Sequence, residues 1–327
     1  MRELSFNPQR STLNSQLSTL NMFPSNVTIV EVGPRDGFQM EKTFIPTDLK
    51  VAIIDNLVTA GVRHIEATSF VNPKVIPQMA DSAEVLARVK RQPSTHYTAL
   101  IPNAKGAQRA INAKCDSVRL VICATETYNQ RNVGMSVAQS ILACDDIIRM
   151  SSAAGIGFEV IIALAFGCPF EGHVPKDTPV GIAHQLAAKG ITNIGIADSI
   201  GTGNPVQVKH MMNRLQTELP NVHFSMHIHD TRGLGLANLF AALECGIDSF
   251  DSSLGGLGGC PIMVGGTGNV PTEDVVNLCH EIGIQTGINI EGVCEASRKM
   301  QAFLGRPLPS AILRSGTRQQ LFTKITH

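Results

Sequence analysis

Disulfide spacing, zinc-finger spacing, a long apolar run and an excess of either charge are all missing from this 327-residue chain. No two of its eight cysteines form a CxxC pair, and most sit inside apolar runs. In a chain of this size that speaks against a disulfide framework and against a closed structural zinc site, and for buried free thiols in a reducing compartment. The longest apolar stretch, Val160–Phe166, falls far short of the roughly 20 residues a bilayer requires. Lys plus Arg and Asp plus Glu balance at 27 each, and no long basic run occurs, so neither nucleic acid nor an anionic membrane is expected as a partner. Charge is sparse at 17% against 43% hydrophobic, which excludes disorder over most of the length and leaves enough apolar surface for a sizeable core.

The first 26 residues stand apart. They are rich in Ser, Asn, Gln and Thr, carry Arg2, Arg10 and one acid, Glu3, and contain no apolar h-region. A secretory signal is therefore excluded. The segment 1–26 reads as a loosely ordered extension of a cytoplasmic protein. A mitochondrial transit peptide, placing the chain in the matrix, is the alternative. The last residues, Lys324 to His327, match no peroxisomal or retention signal.

From Val27 onward short β-rich runs alternate with amphipathic ones. The pattern predicts strands at 27–32, 64–67, 97–101, 117–123, 158–163, 193–197, 222–227 and 249–252. It predicts helices at 47–60, 81–91, 103–113, 136–154, 179–189, 205–218, 234–245 and 272–282, and one more at 291–304. Glycines such as Gly155, Gly190 and Gly246 follow the helices where a left-handed cap is expected. Eight βα units in about 260 residues suit a closed (β/α)8 TIM barrel, one domain over 27–327 with an additional C-terminal helix. A doubly wound sheet is the alternative, but the turn after the first strand has no GxGxxG.

A barrel concentrates chemistry where strands end and βα loops begin. The unusual polar residues fall there: Arg35, Asp36 and Gln39 after strand 1, Glu66 at the end of strand 2, Asp198 after strand 6, His227 and His229 at the end of strand 7. After strand 8 comes a glycine-rich stretch with Cys260, then Asn269. No comparable cluster marks the strand starts, and that asymmetry argues for an enzyme. Two histidines two apart at a strand end point to the same face, into the mouth. With Asp36 and Asn269 from neighbouring strands they form an N2O2 set that suits Mg2+ or Mn2+ better than a closed zinc site. The plain alternative is a pair of core or surface histidines. Arg35 can hold a carboxylate or a developing enolate oxygen, or simply form an ion pair with Glu66 or Asp198. Glu66 reads as a carboxylate that orients Arg35, while Asp198 is open between that role and acid–base work. Cys260 lies outside any apolar run, so its loop can carry the thiol into the site as a general acid or base.

The motifs Val32-Gly33-Pro34-Arg35-Asp36-Gly37, Glu66-Ala67-Thr68-Ser69-Phe70, Gly167-Cys168-Pro169-Phe170-Glu171-Gly172, His227-Ile228-His229-Asp230-Thr231 and Gly255 to Pro261 with Gly268-Asn269 resemble the hydroxymethylglutaryl-CoA lyase family. The resemblance covers nearly all of 27–304. It implies a metal-dependent retro-Claisen cleavage of 3-hydroxy-3-methylglutaryl-CoA to acetyl-CoA and acetoacetate. It implies that Asp36, His227, His229 and Asn269 hold the cation, that Arg35 supports the enolate, that Cys260 is the catalytic thiol, and that Glu66 and Asp198 are acids of the active site. Arg35 and Gln39 are the expected substrate contacts. Lys42 and Arg232 are the weak candidates for the CoA phosphates, and a dimer or tetramer is expected by analogy with other barrel enzymes.

The chain departs from the family pattern in places. Leu254-Gly255 precede the cysteine loop and Ile262 follows it, Arg232-Gly233 follow the HxHDT motif, and Met263-Val264-Gly265-Gly266 replaces an Ala-richer segment. None is a metal or catalytic position, but all lie near the expected acyl tail. A citramalyl-CoA lyase, or a lyase for another 3-hydroxy-3-substituted acyl-CoA, is therefore the alternative. An acetyl-CoA-condensing synthase fits less well, because the Gly-Gly-Cys-Pro loop is typical of the lyases and no regulatory domain fits after Leu304. A non-catalytic metal-binding barrel would be expected to have lost one of Arg35, Asp36, His227 or Cys260.

Overall fold

A computed structural model describes residues 23–259 and 268–325. Eight short strands line up in parallel: β1 (Thr28–Glu31), β2 (His64–Ser69), β3 (His96–Ile101), β4 (Ser117–Cys123), β5 (Gly157–Ala163), β6 (Asn193–Asp198), β7 (His223–Ile228) and β8 (Ser249–Ser252). Each pairs with the next, and β8 returns to β1, closing a (β/α)8 TIM barrel. The connecting helices are α1 (Thr47–Thr59), α2 (Ser82–Arg88), α3 (Ala104–Asn112), α4 (Glu126–Val133), α5 (Val137–Ala154), α6 (Asp177–Ala188), α7 (Pro205–Glu218), α8 (Gly235–Glu244) and α9 (Thr272–Glu281). Helices α10 (Ile290–Leu304), α11 (Ala311–Ser315) and α12 (Arg318–Ile325) follow.

Local signals explain the boundaries that the sequence predicts well. Ser136 and Gln139 form a reciprocal capping box at the start of α5, and Gly155 ends it at φ 67°. Asn204, Pro205 and Gln207 do the same work at the start of α7. Where the expectation falls short, the cause is equally local. Helix α4 buries only Asn129, so it has no apolar stripe to read. It is held by that one amide, which accepts from Cys123 N at 3.0 Å and donates to Met135 O and Ser140 Oγ at 2.8 Å each. One C-terminal helix is expected and three are found. The five-residue α11 is too short for a periodic signal. It is fixed by Asp274, which accepts from Ser310 Oγ at 2.7 Å and from the backbone of Ala311 and Ile312 at 2.9 Å each. The attachment of the chain to the barrel also begins earlier than residue 27. Phe23 meets the edge of Phe240 at 5.3 Å, and Asn26 bridges to Gln285.

Strand alternation divides the interior into two environments. Val118, Leu120, Ile122, Val160, Ile162, Ile194, Ile196, Met226 and Phe250 are fully buried. They face the helix ring and make the hydrophobic core. The residues between them, among them Arg119, Ile161, Ala163, Ala197, His227 and Asp251, line the cavity inside the barrel. The barrel therefore has an apolar outside and a partly charged inside.

Two buried carboxyls brace the turn after β8. Glu31 accepts from the backbone of Gly33 at 2.7 Å and of Leu254 at 2.9 Å, and from Thr272 Oγ1 at 2.7 Å. Glu273 accepts from Gly255 N at 3.0 Å and from Ser297 Oγ. Burial outweighs these hydrogen bonds and pushes Glu31 up to about 7 and Glu273 to about 8. An acid with a raised folded pKa stabilises the fold below its unfolded pKa and loses that contribution as pH rises through the folded value. Unfolding free energy should therefore fall between about pH 5 and pH 8, by on the order of 3 kcal/mol per group. Denaturant unfolding across that range should show the decline in the wild type and a flatter profile in the Glu31→Gln/Glu273→Gln double variant. Parallel profiles for the two proteins would remove both groups as its cause.

Candidate active site

The turn after β1 is a single wide helical turn, Gly33–Gly37, completely buried, in which the backbone N–H of Asp36 donates to Val32 O at 2.7 Å. It carries Arg35 and Asp36 into the mouth of the barrel at the C-terminal ends of the strands. From the other side β7 delivers His227, and its continuation delivers His229, which pairs as an isolated bridge with Asn269. The chain beyond β8 is kept close by glycine. A Cβ on Gly268 would lie 1.9 Å from Gly258 O, and Gly258, at φ 105°, has Asn269 Nδ2 2.5 Å from where its own Cβ would be.

These elements bring Asp36, His227 and His229 together with one ligand atom each inside a 4.8 Å sphere of mutual distance, all buried. His227 Nε2 and His229 Nε2 lie 3.0 Å apart. Asn269 Nδ2 donates to Asp36 Oδ2 at 2.6 Å and to Leu257 O at 3.1 Å, while its Oδ1 is buried without a partner. Burial favours neutral Asp36, but the Arg35 guanidinium beside it, with the hydrogen bond from Asn269, outweighs that and holds the carboxyl at about 2. Burial, with His227 beside it, lowers His229 to about 3, so its imidazole is neutral at physiological pH. His227 is oriented by Asp251 Oδ2, 3.0 Å from Nδ1, an arrangement that leaves Nε2 free to donate a lone pair. An ionised carboxylate, the neutral imidazole of His229, the Nε2 of His227 and an orphaned amide oxygen fit a divalent cation. The surrounding ion pairs agree: the two guanidiniums of Arg35 and Arg119 meet the four carboxylates of Asp36, Glu66, Glu159 and Asp251, two formal negative charges in excess.

Arg35 binds Asp36 Oδ1 through Nη1 at 2.5 Å and Glu66 Oε1 through Nε. Gln39 Nε2 reaches Asp36 Oδ1 at 3.1 Å, at the lip of the cleft. Asp198 needs correction. It pairs with Ile228 in the β6–β7 register, while its neighbour Ala197 pairs with His227. Parity therefore turns Asp198 away from the cleft, which Ala197 and Ser199 line instead. Its two oxygens accept from the backbone of Thr202 and Gly203 at 2.9 Å each, anchoring the β6 loop, and burial raises its pKa despite them. Cys260 lies outside the described residues. Gly259, just before it, lines the cleft.

The cleft above the cluster has a volume of about 800 Å3. Phe70, Val71, Ile76, Pro102, Tyr128 and Val133 supply apolar wall, and Lys105 and Arg109 from α3 supply positive charge. Of the two basic residues named from the sequence, Arg232 is tied to Ile200 O at 2.7 Å and Gly201 O at 3.2 Å, and Lys42 lines a separate hollow beside Arg306. Neither faces this cleft. Sequence reasoning also misses Arg119 and Asp251, each 2% exposed or less. The one available signal is a lone arginine amid the apolar residues of β4.

Loss of an outer-shell partner weakens metal binding by about 10–100-fold, so loss of a direct ligand should weaken it more. Calorimetric titration of metal-free protein with Mn2+ should show Asp36→Asn weakened by more than about 100-fold. Asp198→Asn should bind Mn2+ as the wild type does. Equal loss in both variants would put Asp198 back at the cation.

A family model described as HMGL-like matches residues 26–300. The mitochondrial hydroxymethylglutaryl-CoA lyase of Bos taurus is 39% identical over 298 residues, which are 91% of this chain and 92% of that protein. The Bacillus subtilis hydroxymethylglutaryl-CoA lyase YngG is 36% identical, covering 89% of this chain and 98% of its own length. The structure of an HMG-CoA lyase from Acinetobacter baumannii, solved with coenzyme A and 3-methylmalate, has a TM-score of 0.86 and 41% identity over 90% of this chain and 96% of that one. Matched over about nine-tenths of its length in sequence and in fold, this chain belongs to the HMGL-like family.

Proposed function

We propose that this protein is a carbon–carbon lyase that cleaves 3-hydroxy-3-methylglutaryl-CoA to acetyl-CoA and acetoacetate, with Mg2+ or Mn2+ held by Asp36, His227, His229 and Asn269. The observation that carries the reading is the convergence of Asp36, His227 and His229 at the foot of a cleft that Arg35 also lines. The relatives named as hydroxymethylglutaryl-CoA lyases support the substrate.

The reaction breaks the C2–C3 bond of the substrate. The C3 hydroxyl gives up its proton, C3 becomes the ketone of acetoacetate, and the bond's electron pair passes to C2 as a thioester enolate. A divalent cation at the cluster supplies Lewis-acid activation of the C3 hydroxyl. Arg35 is placed for the enolate oxygen: Glu66 and Asp36 fix its guanidinium, and it stays charged while the oxygen gains charge. Asp36, His227 and His229 are the groups within reach of the hydroxyl proton. Cys260, or a water it positions, protonates C2 to give acetyl-CoA. Gly259, the residue before it in the chain, lines the cleft. Lys105 and Arg109 are the cations we place nearest the CoA phosphates. No helix of the described residues is long and apolar enough to cross a membrane, which suits a substrate that arrives from water.

The test is a product assay on purified protein. It offers 3-hydroxy-3-methylglutaryl-CoA and citramalyl-CoA in parallel, each with Mg2+, Mn2+ or EDTA. Acetoacetate from the first alone, abolished by EDTA, is the expected result; pyruvate from the second alone would move the activity to the other acyl-CoA. General acid–base groups contribute roughly 10²–10⁴-fold, so Cys260→Ala should lower turnover by about that factor. Its Mn2+ affinity should be unchanged, and wild-type turnover in that variant would remove the thiol from the chemistry.

A further inference from the structure

We propose that Arg119 is a positioning residue for the reaction: a single guanidinium inside the barrel holds both the carboxylate that orients Arg35 and the carboxylate that orients His227. Arg119 sits on β4, 1% exposed, below the metal cluster. Its Nη1 donates to Glu66 Oε2 at 2.7 Å and to Asp251 Oδ2 at 2.7 Å. Its Nη2 donates to Asp251 Oδ1 and to Glu159 Oε2, both at 3.2 Å. Glu66 places its other oxygen on Arg35 Nε, and Asp251 Oδ2 lies 3.0 Å from His227 Nδ1. Arg35 follows β1 and His227 lies on β7, with β8 between them, yet both orientations trace back to one residue on β4, one layer down.

The chemistry of the side chain makes the arrangement specific. The planar fork grips both oxygens of Asp251 and so fixes the plane of that carboxylate. Asp251 then holds the His227 proton on Nδ1, which leaves Nε2 with its lone pair toward the cluster. The same Nη1 keeps Glu66 turned so that its second oxygen faces Arg35. Without the guanidinium, Glu66 and Asp251 lose the donor that fixes the plane of each carboxylate, and with it the oxygen that each turns toward Arg35 or His227.

This inference rests on the proposed lyase reaction for its kinetic readout, but its metal readout stands alone. The experiment compares the full-length wild type with Arg119→Met, Arg119→Lys and Glu159→Gln. Circular dichroism and melting establish the fold, Mn2+ titration calorimetry on metal-free protein gives the affinity, and steady-state turnover of 3-hydroxy-3-methylglutaryl-CoA gives kcat and KM. A folded Arg119→Met protein should bind Mn2+ about 10–100-fold more weakly. Its kcat should fall by about 100-fold or more while KM stays within about threefold, because Arg35 loses its orientation and the cleft walls do not change. Arg119→Lys keeps the charge without the fork, so its affinity should lie between the two, at least about threefold below wild type. Glu159→Gln removes the one partner that leads neither to Arg35 nor to His227, and should match the wild type in both readouts. Wild-type Mn2+ affinity in a folded Arg119→Met or Arg119→Lys protein would overturn the proposal, as would a Glu159→Gln protein as impaired as Arg119→Met. A wild type that binds Mn2+ but releases no acetoacetate from 3-hydroxy-3-methylglutaryl-CoA would defeat the lyase reading and leave the Mn2+ comparison in force.

Discussion

Charge inside a barrel must be paired, and that constraint organises everything above it. An isolated ion in a low-dielectric interior is too costly to persist, and breaking a buried pair is worth several kcal/mol because the remaining partner is left uncompensated. The interior here contains Arg119, Glu66 and Asp251, each 2% exposed or less, with Arg35 and Asp36 just above. Arg119, Glu66, Asp251 and Arg35 each find an opposite charge on a different strand, and Asp36 pairs with Arg35 beside it. The pairing fixes orientation as well as energy. Asp251 is held below its ordinary pKa by Arg119, against the opposing effect of its burial, so it stays an acceptor for His227. His227 turns Nε2 to the mouth because Asp251, in the layer beneath, takes Nδ1.

The closed barrel is the means by which residues far apart in sequence meet in that layer. Asp251 and Arg119 are 132 residues apart and Asn269 and Asp36 are 233 apart, yet each pair is within hydrogen-bonding distance. Parallel strands with a common direction put every βα turn at one end, so a turn after β1, a strand end in β7 and a return loop after β8 share one small volume. The apolar alternation on the outer face stabilises this frame and leaves the inner face for polar groups.

Much of this was legible from the chain alone. Eight β-rich runs and the helices between them follow from periodicity and caps. Two histidines spaced by two at a strand end had to share a face, and Arg35-Asp36 stood in the right turn. What could not be read was register. Whether Asp198 or Ala197 points inward depends on which residue lies beside His227, and hydrogen-bond pairing between strands decides that. Arg119 was hidden for a related reason: in an apolar run one charged residue looks like an exception until its carboxylate partners on β2, β5 and β8 are in place. Helix α4 was invisible because one buried amide, not a stripe, holds it.

The approach of Gly268 to Gly258 gives the fold a degree of evolutionary freedom. Because a Cβ at Gly268 would fall 1.9 Å from the Gly258 carbonyl, the chain leaves the barrel wall and returns to it at nearly one point. A loop whose ends coincide can be lengthened or shortened without moving what it is tied to, and each doubling of its length costs only about 0.6 kcal/mol of closure entropy. The pinned base thus uncouples the length of the segment from the geometry of Asp36 and Asn269. Insertion or deletion between Gly258 and Gly268 can change the length of chain there while Asp36 and Asn269 keep their spacing.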